Sequence, residues 1–150
     1  MLSIKHILVG TDFSEPSDEA LAYAVDLAER LGATITLVHA YEIPVYGFPD
    51  GFVIATAELA SSISDAGSAG LKAAASRSAR GAVTVTPVLR CGPIADEMNA
   101  VAEQVSADII VIGTHGRHGL ARMLLGSVAD RMVRTATRPV LTIRAKPKAA

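Results

Sequence analysis

Two glycines three residues apart, nine further residues, and then a Gly-Ser pair form the most chemically suggestive pattern in this chain: Gly113-Thr114-His115-Gly116 and Gly126-Ser127. The apolar run Ile109 to Ile112 precedes them, so the stretch reads as a buried strand, a glycine-bearing loop and a helix start. Lacking a Cβ, Gly113 and Gly116 let the backbone take positive φ and bring its N–H groups close to a ligand. Ser127 with Asp130 three residues on resembles a capping pair that starts a helix. A helix N-terminus carries unpaired N–H donors and a partial positive charge, which suits a phosphate. Glycines alone punctuate turns in every α/β protein; the added Gly126-Ser127 before a helical pattern is what favours an anion site. The second candidate is Asp12, in Gly10-Thr11-Asp12 after the apolar cluster Ile7-Leu8-Val9. A carboxylate at a strand end can accept from ribose hydroxyls, hold a metal on a polyphosphate, or simply cap the next helix.

These residues need elements to position them. Ile4 to Val9 reads as a first strand. Ser14 to Arg30 reads as a helix, with Leu21, Ala24, Val25, Ala28 and Leu31 on one face, Pro16 in its first turn and Gly32 just past its end. Thr34 to Tyr41 is a β-branched, apolar second strand, and strand–helix–strand units cross over right-handed to give parallel pairs. Glu42 to Gly51, with Pro44, Gly47, Pro49 and Gly51, reads as a mobile loop. Val53 to Arg80 contains a long helix, weakened by Gly67 and Gly70, each costing ~1 kcal/mol relative to alanine. Ala82 to Leu89 alternates as a third strand, with Pro87 favouring a sheet edge. A helix follows Gly92-Pro93, then the strand Asp108 to Gly113, the helix from Ser127 to about Ala136, and a last strand from Pro139 to Arg144. Five strands alternating with four helices predict one α/β domain over residues 1–150, an open parallel sheet with helices on both faces. In such sheets ligands sit beyond the carboxyl ends of strands where the strand order reverses. If the first and fourth strands are neighbours there, Asp12 faces the glycine loop across a crevice.

Composition narrows the function. Half of the 150 residues are hydrophobic, and the net charge is −1, which gives no footprint for non-specific nucleic-acid binding. The single cysteine, Cys91, excludes an internal disulfide framework and fits a reducing compartment. The N-terminus does not read as a signal peptide, and no segment has the ~18 apolar residues of a membrane span, so a cytoplasmic protein is expected. His115 and His118 have no Cys or acidic cluster nearby, which argues against a metal site there. Met98, Met123 and Met132 read as packing residues.

The sequence resembles the universal stress protein family, specifically its nucleotide-binding branch. The resemblance rests on Gly113-x2-Gly116-x9-Gly126-Ser127, supported by Ile7-Leu8-Val9-Gly10-Thr11-Asp12-Phe13-Ser14 and by Arg138-Pro139-Val140-Leu141, and covers essentially the whole chain. It implies a Rossmann-like domain of the adenine nucleotide alpha hydrolase type, with strand order 3-2-1-4-5. It also implies ATP with Mg or Mn, and a homodimer paired through the last strand, Pro139 to Arg144. By position, Asp12 looks like the acidic residue that reaches the ribose or the metal-bound phosphates. Gly10 and Thr11 would border the adenine, Val38 and His39 would offer adenine-side backbone contacts, and Ile112 and Gly113 would pass under the ribose. Gly116, Gly126, Ser127 and Val128 look like the phosphate cradle. Thr11 stands where many members have valine, alanine or proline. Arg117, His118 and Arg122 lie in the nine-residue span, and one of the arginines is placed to fork onto a terminal phosphate.

The resemblance therefore implies an ATP-binding regulatory module of stress physiology. The alternatives are a slow ATPase or nucleotide hydrolase, and a dimeric interaction module without nucleotide. No Gly-x4-Gly-Lys-Ser/Thr loop and no evident general base support turnover. A phospho-receiver domain is disfavoured, because the third strand ends Leu89-Arg90 without an aspartate. An FMN-binding flavodoxin-like domain is disfavoured by acidic Asp12 in the first loop.

Overall fold

Residues 2–54, 56–115 and 125–146 are described by the computed structural model. In β1 (His6–Gly10) the side chains of Ile7, Leu8 and Val9 are all fully buried, and they alternate between two separate cores. Ile7 and Val9 join Ile35 and Leu37 of β2 (Thr34–Tyr41) on one face of the sheet. Leu8 and Val38 join Ile110 and Ile112 of β6 (Ile109–Gly113) on the other. A strand with two buried faces has no polar side to show, which is why the apolar runs are continuous. The first face is covered by α1 (Glu15–Leu31), through Ala20, Leu21, Ala24 and Val25, and by α2 (Ala57–Ser78), through Leu71 and Ala74. The second is covered by α3 (Ile94–Gln104), through Met98 and Val101, and by α4 (Ser127–Thr135), through Ala129 and Met132.

The five-stranded sheet has the order β5-β2-β1-β6-β7, with β5 spanning Val85–Cys91 and β7 Val140–Ile143, and every pairing in it is parallel. Counting only these strands along the chain, the order is the expected 3-2-1-4-5. The chain winds outward from β1 to β5 and returns to β6, so the order reverses between β1 and β6. Pro87 lies in edge strand β5, opposite Leu37, as its missing N–H requires.

Local signals act where they were expected. Ser14 is the N-cap of α1 and accepts from the N–H of Ser17, and Gly32 closes the helix at φ 63°, ψ 41°. Two expectations are corrected. Glu42 to Gly51 is not a loop: Val45–Phe48 and Gly51–Ile54 pair antiparallel as the hairpin β3–β4. Its turn is Pro49-Asp50, followed by Gly51 at φ 138°, so the prolines and glycines are turn chemistry inside a hairpin. Val45, Tyr46 and Phe48 stand at least half exposed on it. Ser127 and Asp130 do not form a capping pair: Gly126, which has no side chain, is the N-cap of α4, and Asp130 pairs with Arg134 at 3.1 Å.

At the opposite end of the sheet Asp108 ties β6 to β1. Its Oδ2 accepts from the backbone N–H groups of Lys5 at 2.7 Å and His6 at 2.9 Å. These two bonds, helped by the nearby charges of His6 and Arg138, hold the carboxyl below the ordinary aspartate value of 3.8. A lowered folded pKa stabilises fully above the unfolded value, and the contribution is lost as pH falls through the folded value. Asp108→Asn is therefore expected to lower stability near neutral pH by about 1 kcal/mol, discounted for solvent, in urea unfolding. The gap between the two proteins should close as the buffer is acidified below the aspartate range; a gap of equal size there would show that charge is not the cause.

Candidate functional site

The carboxyl ends of neighbouring strands β1 and β6 define the candidate site. The loop after β1 is tied down at each residue. Thr11 donates its N–H to the Val38 carbonyl at 2.9 Å, and its carbonyl accepts from His39 Nδ1 at 2.8 Å. A carbonyl oxygen only accepts, so Nδ1 carries the proton. The Thr11 hydroxyl is buried against Ser17 Oγ at 3.1 Å and accepts from the N–H of Phe13 at 3.0 Å. Asp12 Oδ1 accepts the Ser14 N–H at 3.0 Å and also bonds the Ser14 hydroxyl. Asp12 is thus not itself the helix cap; it folds an Asx turn onto Ser14, which is.

Phe13 takes φ 62°, a left-handed conformation that is strained for an aromatic residue. The strain is held by packing: its ring lies 4.3 Å from the His39 ring, centroid to centroid, and against α2 at Gly70. A Cβ built on Gly70 would come within 2.8 Å of the Phe13 ring. One built on Gly67 would come within 2.9 Å of Leu89 and 3.3 Å of His39. Both helix-weakening glycines of α2 therefore exist to admit side chains from beneath. Sequence reasoning missed Phe13, Gly67 and Gly70, because a single apolar residue and two helix-interior glycines carry no signal until the elements are docked.

On the β6 side, Ile112 is buried and Gly113 ends the strand. Gly113 does not take positive φ; its value lies in close approach, since a Cβ there would sit 3.1 Å from the Pro16 carbonyl of α1. Gly126 likewise has φ −59°, donates its N–H to the Thr114 carbonyl at 2.6 Å, and would place a Cβ 2.9 Å from that oxygen. The chain leaving β6 and the chain entering α4 thus touch backbone to backbone. Gly10 works in the same way, leaving room for Met98 of α3, whose Cε would lie 2.6 Å from a Cβ. Ser127 is exposed and Val128 half-buried in the first turn of α4, which no side chain among the described residues caps. His115 Nδ1 bonds the Thr114 hydroxyl at 2.9 Å, while its Nε2 is buried with no hydrogen-bond partner among the described residues.

Of the residues expected at the site, Gly10, Thr11, Asp12, Val38 and His39 come together at the ends of β1 and β2. Ile112 and Gly113 stand beside them at the end of β6, and Thr114 joins Gly126, Ser127 and Val128 to that strand end. The Val38 carbonyl is taken by the Thr11 N–H, and its side chain is buried. Gly116 and Arg117, with His118 and Arg122, lie outside the described residues. Among the described residues no group of three His, Cys, Asp or Glu side chains is placed to hold a metal ion, and no helix is long and apolar enough to cross a membrane.

The universal stress protein family model matches residues 3–144. The chain belongs to the universal stress protein family. A universal stress protein of Methanocaldococcus jannaschii is 34% identical over 146 residues, covering 96% of this chain and 84% of the relative. The solved structure of the universal stress protein UspA from Lactobacillus plantarum superposes with a TM-score of 0.78 at 25% identity, over 94% of this chain and 98% of that one. A universal stress protein solved in complex with cAMP superposes with a TM-score of 0.68 at 28% identity, over 96% and 99%. The five-stranded parallel sheet flanked by helices is thus the fold of the universal stress proteins.

Proposed function

We propose that this universal stress protein binds ATP, accompanied by Mg or Mn, at the switch point between β1 and β6, and acts as a regulatory module of the stress response in the cytoplasm. The observation that carries this reading is two opposite chemistries at the carboxyl ends of the neighbouring strands β1 and β6. Asp12, anchored on Ser14, follows β1; the N-terminus of α4, where the N-cap Gly126 carries no side chain, is joined to the end of β6 through the Thr114 carbonyl. Helix N–H donors suit phosphates, and a carboxylate suits ribose hydroxyls or a phosphate-bound cation. The relative solved with cAMP supports an adenine nucleotide as the ligand class.

In this reading the backbone N–H groups of Ser127 and Val128, with the Ser127 hydroxyl, hold phosphate oxygens, joined by Gly116 and by Arg117 or Arg122. Gly10, Thr11, Val38 and His39 line the adenine side, and Ile112 and Gly113 underlie the ribose. A single carboxylate is too few ligands for a divalent cation, so the metal arrives with the phosphates and Asp12 completes its shell. Binding without rapid turnover is expected, since the sequence places neither a P-loop lysine nor a general base at the phosphates. Asp12→Ala is expected to weaken ATP binding about tenfold in the presence of Mg, in titration calorimetry of nucleotide-free protein. It should do so much less in EDTA; equal losses in both buffers would assign Asp12 to the ribose or to the fold instead.

We propose further that the protein is a homodimer paired through β7. This strand is the outer edge of the sheet, and its four residues are all half-buried. The carbonyls of Pro139 and Ile143 point inward to Ile110 and Thr114 of the β6 side. By the two-residue period, those of Val140 and Thr142 point outward, with their N–H groups, as an open template for a second strand.

A further inference from the structure

Asp12 is flanked by residues that belong, mechanically, to other elements. Thr11 before it is bound at both its N–H and its carbonyl to β2, through Val38 and His39. Phe13 after it is held at positive φ between the His39 ring and the backbone of α2 at Gly70. His39 makes both attachments, hydrogen-bonding the residue on one side of Asp12 and stacking on the residue on the other. It is itself half-buried under Gly67. Resting on the nucleotide reading above, we propose that His39 is a positioning residue for Asp12. Its imidazole, seated against Gly67 of α2 and against the Phe13 ring, fixes the loop so that the Asp12 carboxylate is presented to the metal–phosphate group of the bound nucleotide. The side chain of His39 then acts on the phosphate side of the site, in addition to its backbone at the adenine side.

The geometry gives the device two separable parts. The Nδ1–H bond to the Thr11 carbonyl needs a donor at that position, which asparagine retains and leucine lacks. The ring contact needs Phe13 in its strained conformation, which any side chain on Gly70 would disturb. Strain of this kind persists only where the surroundings over-determine it, so losing one part should loosen Phe13 and with it Asp12, and losing both should release them. It follows that α2, which begins directly after the exposed hairpin, is in contact with the loop that carries the metal-facing carboxylate. A displacement of α2 would be felt at Asp12.

The test uses the full chain and reads the ratio of the ATP dissociation constant in EDTA to that in Mg. This ratio isolates the metal-linked part of the affinity; a merely structural defect raises both constants alike and leaves the ratio unchanged. In wild type the ratio should be about tenfold, and His39→Leu should cut it to within about twofold of unity, matching Asp12→Ala. His39→Asn, which keeps the donor but loses the ring contact, should restore part of it. Gly70→Ala, which strengthens the helix while pressing on Phe13, should also lower the ratio, and it serves if His39→Leu does not fold. An unchanged ratio in His39→Leu and Gly70→Ala, with weaker binding in both buffers, would overturn the positioning role while leaving nucleotide binding intact. Wild type without affinity for ATP would overturn the nucleotide reading and this inference together.

Discussion

Gly126→Val is expected to raise the dissociation constant for ATP by about 100-fold or more, a loss of about 2.7 kcal/mol, while the protein remains folded. The reason is the junction between the β6 loop and α4. Gly126 accepts no side chain without moving, because a Cβ would stand 2.9 Å from the Thr114 carbonyl and 3.5 Å from the His115 Cα. Both neighbours are backbone, so neither can swing aside as the tip of a flexible side chain would. The shift must be taken by the chain entering α4, which moves the N–H groups of Ser127 and Val128 away from the place proposed for the phosphates. Overpacking of this kind costs about 1–3 kcal/mol in stability, which the two cores can absorb. Circular dichroism should show the fold retained, and titration should show the affinity lost. Retained affinity in a folded Gly126→Val protein would show that the phosphates do not sit on α4.

Thr142→Pro is expected to convert a dimer to a monomer without unfolding it. Inside a ladder proline is excluded by its missing N–H, but at an edge position whose N–H faces solvent it is tolerated. Thr142 is such a position, since the inward bonds of β7 fall on its alternate residues, as shown by Pro139 and Ile143. The substitution therefore spares the β6–β7 pairing and removes a donor only from the outer edge. Light scattering should report twice the chain mass for wild type and the chain mass for the variant. A dimeric Thr142→Pro protein would move the interface to another surface.

How much of this was legible in the sequence depends on the range of the signal. Strands buried on both faces announce themselves as apolar runs, so β1, β2 and β6 were found to within a few residues. The capped ends of α1, marked by Ser14 and Gly32, were found because capping is local chemistry. The hairpin is not legible because Pro49-Asp50-Gly51 reads as a break in structure, while Pro49-Asp50 make the turn between two short strands and Gly51 begins the second. Ser127 and Asp130 matched a capping spacing, yet the helix begins one residue earlier in its geometry, with Gly126 as cap and Asp130 turned to Arg134. At the site, Asp12 and Gly113 could be singled out by type and spacing. The meaning of Gly67, Gly70 and Phe13 could not, since it exists only once α2 lies across the end of β2. Gly113 reads from the sequence as a residue free to take positive φ beside a ligand; it does not take it, and both Gly113 and Gly126 are required by the protein's own backbone packing.

The most direct measurement is made on freshly purified protein: denature it, identify any released nucleotide by chromatography, and titrate the stripped chain with ATP in Mg. An adenine nucleotide that co-purifies, or rebinding in the micromolar range, about −8 kcal/mol, is the result the account requires. No released nucleotide and no binding would contradict it. The glycine pattern would then be a packing feature of the β6–α4 junction, and the protein would be an interaction module that works without a nucleotide.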